Sequence, residues 1–277
     1  MADPGQLRRL YARLDTLHAF VYFRPESGLN FAALGYTGLD SYFASRSAPL
    51  GAVGAEAVVA TFYNFNPEPI RKAVPTVWST ASPAEVLDTR MRSADQALRK
   101  MLGAAVDDEG TARAADLLQR VAESAQPHGR PLYAGNAGIG WPDEPHLRIF
   151  HAVTLLREYR GDAHVAALVL AGIGPVETLV LDVASDRSKL AAGLVQATRG
   201  WSDDEWAAGF ASLRARGLLS DDDTVNEAGA ALREELERRT DDASLGVWSA
   251  LEETELDEVV ALTDPLIATV GGQMFGG

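Results

Sequence analysis

The sequence predicts a mainly α-helical protein built from two tandem halves of similar plan. Three observations support this fold class: apolar residues recur at helical spacing, residues typical of helix caps precede several such segments, and one pattern occurs twice along the 277 residues. The hydrophobic fraction of 47% is enough to bury a sizeable core, so we expect a globular chain.

The repeated pattern reads HAFVYFRPESGLNFAALGYTGL from His18 and HAVTLLREYRGDAHVAALVLAGI from His151. A chance match in an alanine-rich chain is the alternative. The order of the matching residues is preserved, however, which favours an internal duplication with a period of about 135 residues. We therefore expect residues 1–140 and 141–277 to be two halves that pack as an intramolecular pseudo-dimer.

Helices of the first half follow from spacing and caps. Residues 5–23 carry an apolar stripe, Ser82 and Pro83 open a helix, and residues 111–125 form another. The segment GRPLYAGNAGIGWPDEP (129–145) is rich in Gly and Pro and lacks a period. It is therefore predicted to be the connection between the halves.

In the second half, RSKLAAGLVQAT (187–198) and SDDEWAAGFASLRARGLL (202–219) are predicted to be two helices separated by a short turn. The second opens with a capping box of Ser202 and Glu205. A short extended piece, SDDDTVNEAG, and a long helix over residues 229–243 follow. Helix, turn, helix, short hairpin and long helix is the layout of a winged-helix domain.

The segment WSDDEWAAGFASLRARGLLSDDDTVNEAGAALREELERRTDD resembles the winged helix of the MarR-type transcription regulators. Gly217-Leu218-Leu219 matches the Gly-Leu-Leu/Ile step at the end of their recognition helix, and Asn226–Gly229 stands where a Thr-x-x-Gly turn opens their dimerisation helix. The resemblance covers residues 185–245. The whole chain resembles an actinobacterial family of single-chain helix-turn-helix proteins, which implies two fused MarR-like halves and a ligand crevice beside the dimerisation helices.

The presumed recognition helix departs from that pattern where DNA would be contacted. Its apolar stripe, Trp206, Phe210 and Leu213, leaves Asp203 and three alanines (Ala207, Ala208 and Ala211) facing outward, whereas bases and phosphates are read by Arg, Lys, Asn and Gln. The wing carries three aspartates, and the net charge of −14 also disfavours nucleic acid.

In the first half, the corresponding stretch NFNPEPIRKAVPTVW (64–78) holds three prolines and is predicted not to form a regular helix. We therefore expect DNA binding to be lost, although it is not excluded. The alternative is a ligand-responsive regulator that contacts DNA through Arg71, Lys72, Arg214 and Arg216.

Glu56 is the strongest candidate for chemistry, because it is the only charge between Arg46 and Glu68. On a helix it would share a face with Ala60, Tyr63 and Asn64. It is either exposed on a narrow polar stripe or buried, and burial would raise its pKa and make it an acid or base near neutrality. Gln196 occupies the equivalent position in the repeat.

The stretch LREYRGDAH (156–164) has two interpretations. In the first, a helix over 145–159 ends at Gly161 and Asp162 caps the next helix. In the second, the stretch is the wall of a site in which Arg157 and Arg160 hold an anion and His164, near Asp162, acts as a general base. Likewise, Arg46 either pairs with a surface carboxylate or anchors an anionic ligand.

No metal or cofactor is predicted. The chain has no cysteine, no phosphate-binding loop, no nucleophile elbow and no dinucleotide fingerprint. His18 and His151 could meet near a pseudo-twofold axis, but two histidines alone are too few for a zinc site, and core histidines bonded to the backbone are the alternative.

These observations predict a small-molecule-binding protein. They favour a cofactor-independent acid/base enzyme that catalyses an elimination, cyclisation or isomerisation of a polar anionic metabolite. A DNA-binding regulator and an interaction protein without a site are the alternatives. The predicted catalytic groups are Glu56 and His164, and the predicted ligand contacts are Arg46, Tyr63, Asn64, Arg157, Arg160 and Asp162.

The sequence also predicts the cellular location and the oligomeric state of the protein. MADPGQLRRL lacks the apolar segment of a signal peptide, and Pro175, Glu177 and Asp182 interrupt the most apolar stretch. We therefore expect a cytoplasmic protein without membrane contact, present as a monomeric pseudo-dimer or a weak homodimer.

Overall fold

The computed structural model describes residues 3–185 and 191–274, and within these ranges the chain is almost entirely helical. The mainly α prediction is therefore confirmed. The β pairing found there is an isolated antiparallel bridge between Leu219 and Val225. The start of the helix predicted over 187–198 lies outside the described residues, and the helix is observed from Ala192.

The α-helices in the described ranges are numbered in chain order. They are α1 (Pro4–Leu14), α2 (Thr16–Ala19), α3 (Pro25–Ala33), α4 (Leu39–Ser47), α5 (Ala55–Phe62), α6 (Pro67–Thr80), α7 (Pro83–Leu102), α8 (Glu109–Glu123), α9 (Pro131–Ala137), α10 (Pro145–Leu170), α11 (Pro175–Ala184), α12 (Ala192–Arg199), α13 (Asp203–Ala215), α14 (Glu227–Ser244) and α15 (Glu253–Gln273). Short 3₁₀ segments lie at Phe20–Tyr22, Ala48–Leu50, Gly103–Asp107 and Leu245–Ala250.

The chain forms two compact units. Unit 1 comprises residues 1–53, 76–162 and 243–277, and unit 2 comprises residues 54–75 and 163–242. Unit 1 takes residues from both predicted halves, so the boundary near residue 140 does not separate the compact units of the fold. The internal duplication and the pseudo-dimer stay predictions.

Unit 1 is organised around one apolar core. The stripe predicted for the first segment is buried in it as Leu7, Leu10 and Leu14, together with residues of α7, α8, α10 and α15. α3 packs on α7, and α15 packs on both α7 and α8. The predicted start of α7 is confirmed, since Ser82 and Glu85 form a reciprocal capping box.

Unit 2 has a smaller core in which α11 packs on α12 and α13. The predicted stripe of α13 is confirmed: Trp206 and Leu213 are buried and Phe210 is half-buried. The capping box of Ser202 and Glu205 is also present. These residues therefore set both the start and the buried face of α13.

Unit 2 contains α12 and α13, which form one helix–turn–helix pair, and α5 with the first part of α6 (to residue 75), which form another. The two turns are hydrogen-bonded to each other. The Asn66 backbone N–H donates to Arg199 O at 2.9 Å, and Trp201 Nε1 donates to Asn64 O at 3.0 Å. Asn66 Nδ2 also donates to both carboxylate oxygens of Glu205, at 3.1 and 3.0 Å. The first turn of α13 is therefore held by residues of the other turn.

The prediction that residues 64–78 do not form a regular helix is wrong, because α6 runs through them. Pro67 and Pro69 lie in the first turn, where a missing N–H breaks no helical hydrogen bond. Only Pro75 lies inside the helix. The sequence prediction overestimated the effect of prolines, since this 14-residue helix accommodates one interior proline.

Two further sequence predictions are corrected along the chain. The segment 129–145 contains a helix, α9, opened by Pro131. α10 then continues without a break to Leu170, so Gly161 does not end a helix and Asp162 does not cap a following one. Gly161 is tolerated because a single glycine costs a helix only about 1 kcal/mol relative to alanine.

Among the described helices, none is by itself long and apolar enough to cross a membrane. Taken together, α10 and α11 pass the same test of length and composition, but they are bent by 101° at their junction.

Replacement of Gly229 by alanine is expected to destabilise unit 2. A Cβ at this position would lie 2.2 Å from Leu218 O and 2.6 Å from Val225 Cγ2, so the backbone would have to move. Overpacking of this kind costs about 1–3 kcal/mol. Urea unfolding measures the change. The matched control is Gly193→Ala in α12, where a Cβ meets nothing within 4 Å. Equal stability of both variants would contradict the prediction.

Candidate functional site

A cluster of charged side chains lies inside unit 1, and its centre is Glu158 of α10. Arg46 of α4 donates from Nε to Oε1 at 3.4 Å and from Nη2 to Oε2 at 3.1 Å, and Arg157 Nη1 donates to Oε1 at 2.6 Å. The Glu158 side chain is only 3% exposed. Burial alone would raise the pKa of Glu158, but the charges of Arg46 and Arg157 lower it to about 2.

Both arginines are held in place by further partners. Arg157 Nε donates to Asp15 Oδ1 at 2.9 Å, at the junction of α1 and α2. Arg46 Nη1 donates to the hydroxyl of Tyr42 at 3.3 Å. Burial works against the charge of Arg46, but the carboxylate of Glu158 raises the pKa of Arg46 well above its ordinary value. Both guanidinium groups are therefore charged at physiological pH.

His18 lies beside this cluster and is fixed in one tautomer by its neighbours. The Thr154 hydroxyl donates to Phe150 O at 2.7 Å, so His18 Nδ1–H donates to Thr154 Oγ1 at 2.8 Å. His18 Nε2 then accepts from the hydroxyl of Tyr22 at 3.0 Å. Burial lowers the pKa of His18 well below 6.5 and raises that of Tyr22 to about 12, so this pair is neutral at physiological pH.

Arg90 of α7 adds a third buried guanidinium. It is 4% exposed, and its hydrogen bonds go to neutral groups: Nη1 to Ser45 O at 3.3 Å and Nη2 to Asn136 Oδ1 at 3.1 Å. Its Nε is buried without a hydrogen-bond partner. Burial lowers the pKa of Arg90, as expected for a cation without a carboxylate in contact.

The cluster has an accessible edge. The side chains of Arg46, Arg157 and Asp15 are 15%, 30% and 39% exposed, and Tyr22 and Tyr42 are half-buried with ring centroids 5.1 Å apart. We call these five residues the arginine–tyrosine edge. It presents two charged guanidinium groups, the carboxylate of Asp15 and two phenol rings.

Two predicted site residues on α10 lie near this cluster but point elsewhere. Asp162 accepts from the backbone N–H of Tyr133 at 3.0 Å, so it serves the start of α9. Burial raises the pKa of Asp162 to about 6. Arg160 lies with its guanidinium carbon 6.0 Å from the ring centroid of Tyr11. Neither residue has a described hydrogen bond to the arginine–tyrosine edge.

Glu56, Tyr63 and Asn64 belong to unit 2 and do not form one face. The Glu56 side chain is 73% exposed and binds Arg71 at 2.7 and 3.0 Å. This hydrogen bond lowers the pKa of Glu56, so the expectation of a buried carboxyl with a raised pKa is wrong. α5 ends at Phe62, and the Tyr63 hydroxyl donates to Ile173 O. The predicted face shared by Glu56, Tyr63 and Asn64 does not form, because α5 ends before Tyr63.

His164 also belongs to unit 2. Its Nδ1 lies 3.0 Å from Thr240 Oγ1, and the hydroxyl of Thr240 donates to Leu236 O at 2.7 Å. His164 lines a cavity of about 20 Å³ together with Asp182 and Arg233. Because Asp162 and His164 are two positions apart on one helix, they face different sides, and the predicted pair does not form.

The outer face of α13 is acidic, as predicted. Asp203, Ala207, Ala208 and Ala211 are exposed. Arg214 forms an ion pair with Asp223, and Arg216 Nη1 binds Glu177 at 3.2 Å and Gly172 O at 2.9 Å. Of the four cations predicted to contact DNA, Arg214 and Arg216 are therefore engaged inside unit 2, and Arg71 is paired with Glu56.

Sequence reasoning found Arg46 and Arg157 but not the groups that organise them. Glu158 was assigned to a helix end, although it is 112 positions from Arg46 and buried with it. His18 is bonded to side chains rather than to the backbone, and His151 packs edge-on against Trp141 with a pKa of about 4 because it is buried. The signal that could have pointed to His18 is its place in the repeat.

The described residues contain no group of three or more His, Asp or Glu side chains placed to hold a metal ion. The buried arginines instead provide donors for an anion, since a guanidinium matches carboxylate and phosphate oxygens.

The fold and its two helix–turn–helix pairs define a helix-turn-helix protein. A family model described as a helix-turn-helix family matches residues 7–275, so the chain belongs to this family. No curated protein and no solved structure gives a significant match.

Replacement of Glu158 by glutamine is expected to destabilise unit 1 strongly. The change leaves Arg46 buried without its carboxylate, and breaking a buried ion pair from one side costs about 3–5 kcal/mol. Denaturant unfolding gives the difference, and Glu123→Gln at an exposed position of α8 is the control. A loss below about 1 kcal/mol, as for a surface pair, would show that Glu158 is not the centre of the cluster.

Replacement of Asp162 by asparagine is expected to change how stability depends on pH. The pKa of Asp162 is raised in the folded chain, so its contribution is fully present below about pH 4 and is lost as pH rises through 6. Asparagine still accepts from Tyr133 N–H but carries no charge. The variant should therefore gain about 1–3 kcal/mol over the wild type at pH 8, with no gain at pH 4. The exposed Asp143→Asn is the control, and parallel pH profiles for wild type and D162N would refute the shift.

Proposed function

We propose that this chain binds a small polar anion at the arginine–tyrosine edge of unit 1. The observation that carries the proposal is a buried carboxylate, Glu158, bonded by both Arg46 and Arg157, with a third buried guanidinium, Arg90, bonded to neutral partners in the described hydrogen bonds. In the described contacts these three cations face two carboxylates, Glu158 and Asp15, and a bound anion would offset the cost of the remaining positive charge. The ligand class is a small carboxylate or phosphate ester.

The edge also suits recognition of the rest of such a molecule. Tyr22 and Tyr42 supply two adjacent ring faces and two hydroxyl groups, which orient a ligand whose anionic group lies on Arg46 and Arg157. Because its pKa is about 12, Tyr22 keeps its proton at neutral pH, and it would protonate a ligand oxygen by turning its O–H away from His18 Nε2. A cofactor-independent elimination, cyclisation or isomerisation is the reaction class this chemistry allows.

In this proposal the acid/base role moves from Glu56 to Tyr22 with its neighbour His18. Arg46 and Arg157 keep the ligand-anchoring role that the sequence suggested. The roles predicted for Tyr63, Asn64, Arg160 and Asp162 stay predictions, and the contacts of these residues favour structural roles. The described hydrogen bond of His164 is to Thr240, which also favours a structural role.

Replacement of Arg46 is expected to weaken binding of small anions. A charge-assisted hydrogen bond contributes about 1.5–3 kcal/mol, so Arg46→Gln should lower affinity by about 10-fold or more. Arg46→Lys keeps the charge but not the planar fork, so it should retain the fold and still lose affinity. Isothermal titration calorimetry with succinate, citrate, benzoate and phosphate measures the affinities. The control is Arg113→Gln, which removes an exposed arginine paired with Glu258.

Two outcomes would overturn the site. One is equal affinity of Arg46→Gln and Arg113→Gln for an anion that binds the wild type. The other is the absence of binding for every anion of the panel, together with a folded wild-type chain by circular dichroism.

The second candidate is a ligand-responsive transcription regulator, which family membership favours. We propose that α12, α13, the bridge of Leu219 with Val225, and α14 form a winged helix of MarR type, with the first helix–turn–helix pair as its diverged copy. DNA-binding helix–turn–helix proteins contact bases with the start of the second helix. Here that start is bonded to Asn66, and its exposed residues are acidic.

DNA binding is therefore expected to be absent. Fluorescence anisotropy of the protein with duplex DNA from its own upstream region, from low to physiological salt, decides the matter. Sub-micromolar affinity with a steep loss on adding salt would establish the regulator, because each phosphate contact releases counterions. A flat titration at low salt would leave the anion site as the function of the chain.

A further inference from the structure

A groove runs along the exposed side of α13 in unit 2. Its volume is about 290 Å³, and it is lined by Asp203, Trp206, Ala207, Phe210, Arg214 and Asp223. The rings of Trp206 and Phe210 meet edge to face, with centroids 6.4 Å apart, and form the apolar floor. We call it the α13 groove. Its size is close to the lower limit of small-ligand pockets, which is about 300 Å³, and it would admit a large side chain.

The charges around the groove have one predominant sign. Two aspartates line it, and the one lining arginine, Arg214, is paired with Asp223. Three more exposed aspartates are close in sequence: Asp204 in the first turn of α13, and Asp221 and Asp222 in the loop that carries Asp223. Asp222 accepts from the backbone N–H and the hydroxyl of Thr224, which fixes its carboxylate on the loop. The surroundings of the groove therefore attract cations and repel phosphates.

The helix beside the groove permits close approach of another chain. Ala207, Ala208 and Ala211 are exposed, so the middle of α13 presents three methyl groups beside the groove. An apolar floor with an acidic rim matches the usual form of a protein interface, in which a buried aromatic or aliphatic anchor is surrounded by polar and charged contacts. Opposite charges on the partner then increase the rate and the selectivity of association.

We propose that the α13 groove docks a basic segment of a partner protein, with one bulky apolar side chain on Trp206 and Phe210 and flanking Lys or Arg side chains on the aspartates. The face that reads DNA in other helix-turn-helix proteins then serves protein recognition. Charge complementarity selects a polypeptide cation over nucleic acid. The arginine–tyrosine edge of unit 1 has no part in this interaction.

The test is fluorescence anisotropy of the full chain with labelled sixteen-residue peptides. Each peptide carries a central Trp, Phe or Leu between four lysines, and matched peptides carry Ala at the centre or Glu in place of Lys. Binding by the lysine peptides with a large central residue is expected. The Ala peptides should bind at least about 10-fold more weakly, and the Glu peptides should not bind.

Variants of the protein locate the site. Ala207→Trp fills the groove without changing charge and should weaken binding about 10-fold or more, whereas Ala231→Trp, at an exposed position of α14 outside the groove, should leave it unchanged. Asp204→Asn with Asp221→Asn should weaken binding and reduce its salt dependence. Arg46→Lys, which retains the fold, should leave peptide binding unchanged, which separates this proposal from the anion site.

Three results would overturn the proposal. Equal binding to wild type and Ala207→Trp would show attraction to the net charge of −14 alone. Displacement of the peptides by duplex DNA would make the face a nucleic-acid site. The absence of binding by every lysine peptide at low salt would show that the groove has no such partner.

Discussion

The burial of the Glu158 charge is the constraint on which the organisation of unit 1 depends. A carboxylate that is 3% exposed must be neutralised locally, and the neutralising groups come from α4 and from the preceding position on α10. Asp15 then ties Arg157 to the junction of α1 and α2. The relative positions of these three elements within unit 1 therefore follow from one charge.

Stability alone does not account for such an arrangement. Apolar residues of similar volume replace buried ion pairs in other proteins with little loss or with a gain of 1–4 kcal/mol. Arg90 strengthens this point, since it is buried with carbonyl partners and an unbonded Nε. Groups that are costly for the fold are expected where they serve binding or chemistry. The accessible side chains of Arg46, Tyr22 and Tyr42 mark the place where a ligand would make use of them.

Local rules predicted the elements better than their assembly. The helix cap at Ser82, the capping box at Ser202 and the buried stripe of α13 depend on residues close in sequence, so spacing alone identifies them. The helices α6 and α9 were missed because proline was taken as a helix breaker at positions where it opens a first turn. Gly161 was taken as a helix end for a similar reason, although α10 continues past it to Leu170.

The site was less predictable because its partners are far apart in sequence. Arg46 and Arg157 attracted notice as isolated cations, but nothing local indicates that a carboxylate 112 positions from Arg46 is shared between them. The prediction of a buried Glu56 was wrong for the opposite reason. Glu56 stands alone in an apolar stretch of sequence, yet Arg71 on the next helix lies within 2.7 Å at the surface.

The buried cations also sit in a chain whose overall charge is strongly negative. An anion in solution first meets the long-range field of a molecule with 39 acidic and 25 basic side chains, and meets the guanidinium groups only at contact. Dissolved salt screens the distant repulsion far more than the close, partly desolvated attraction. If the arginine–tyrosine edge binds an anion as proposed, capture should therefore become faster as ionic strength rises, which is opposite to the behaviour of a protein that binds the same kind of charge on an open basic surface.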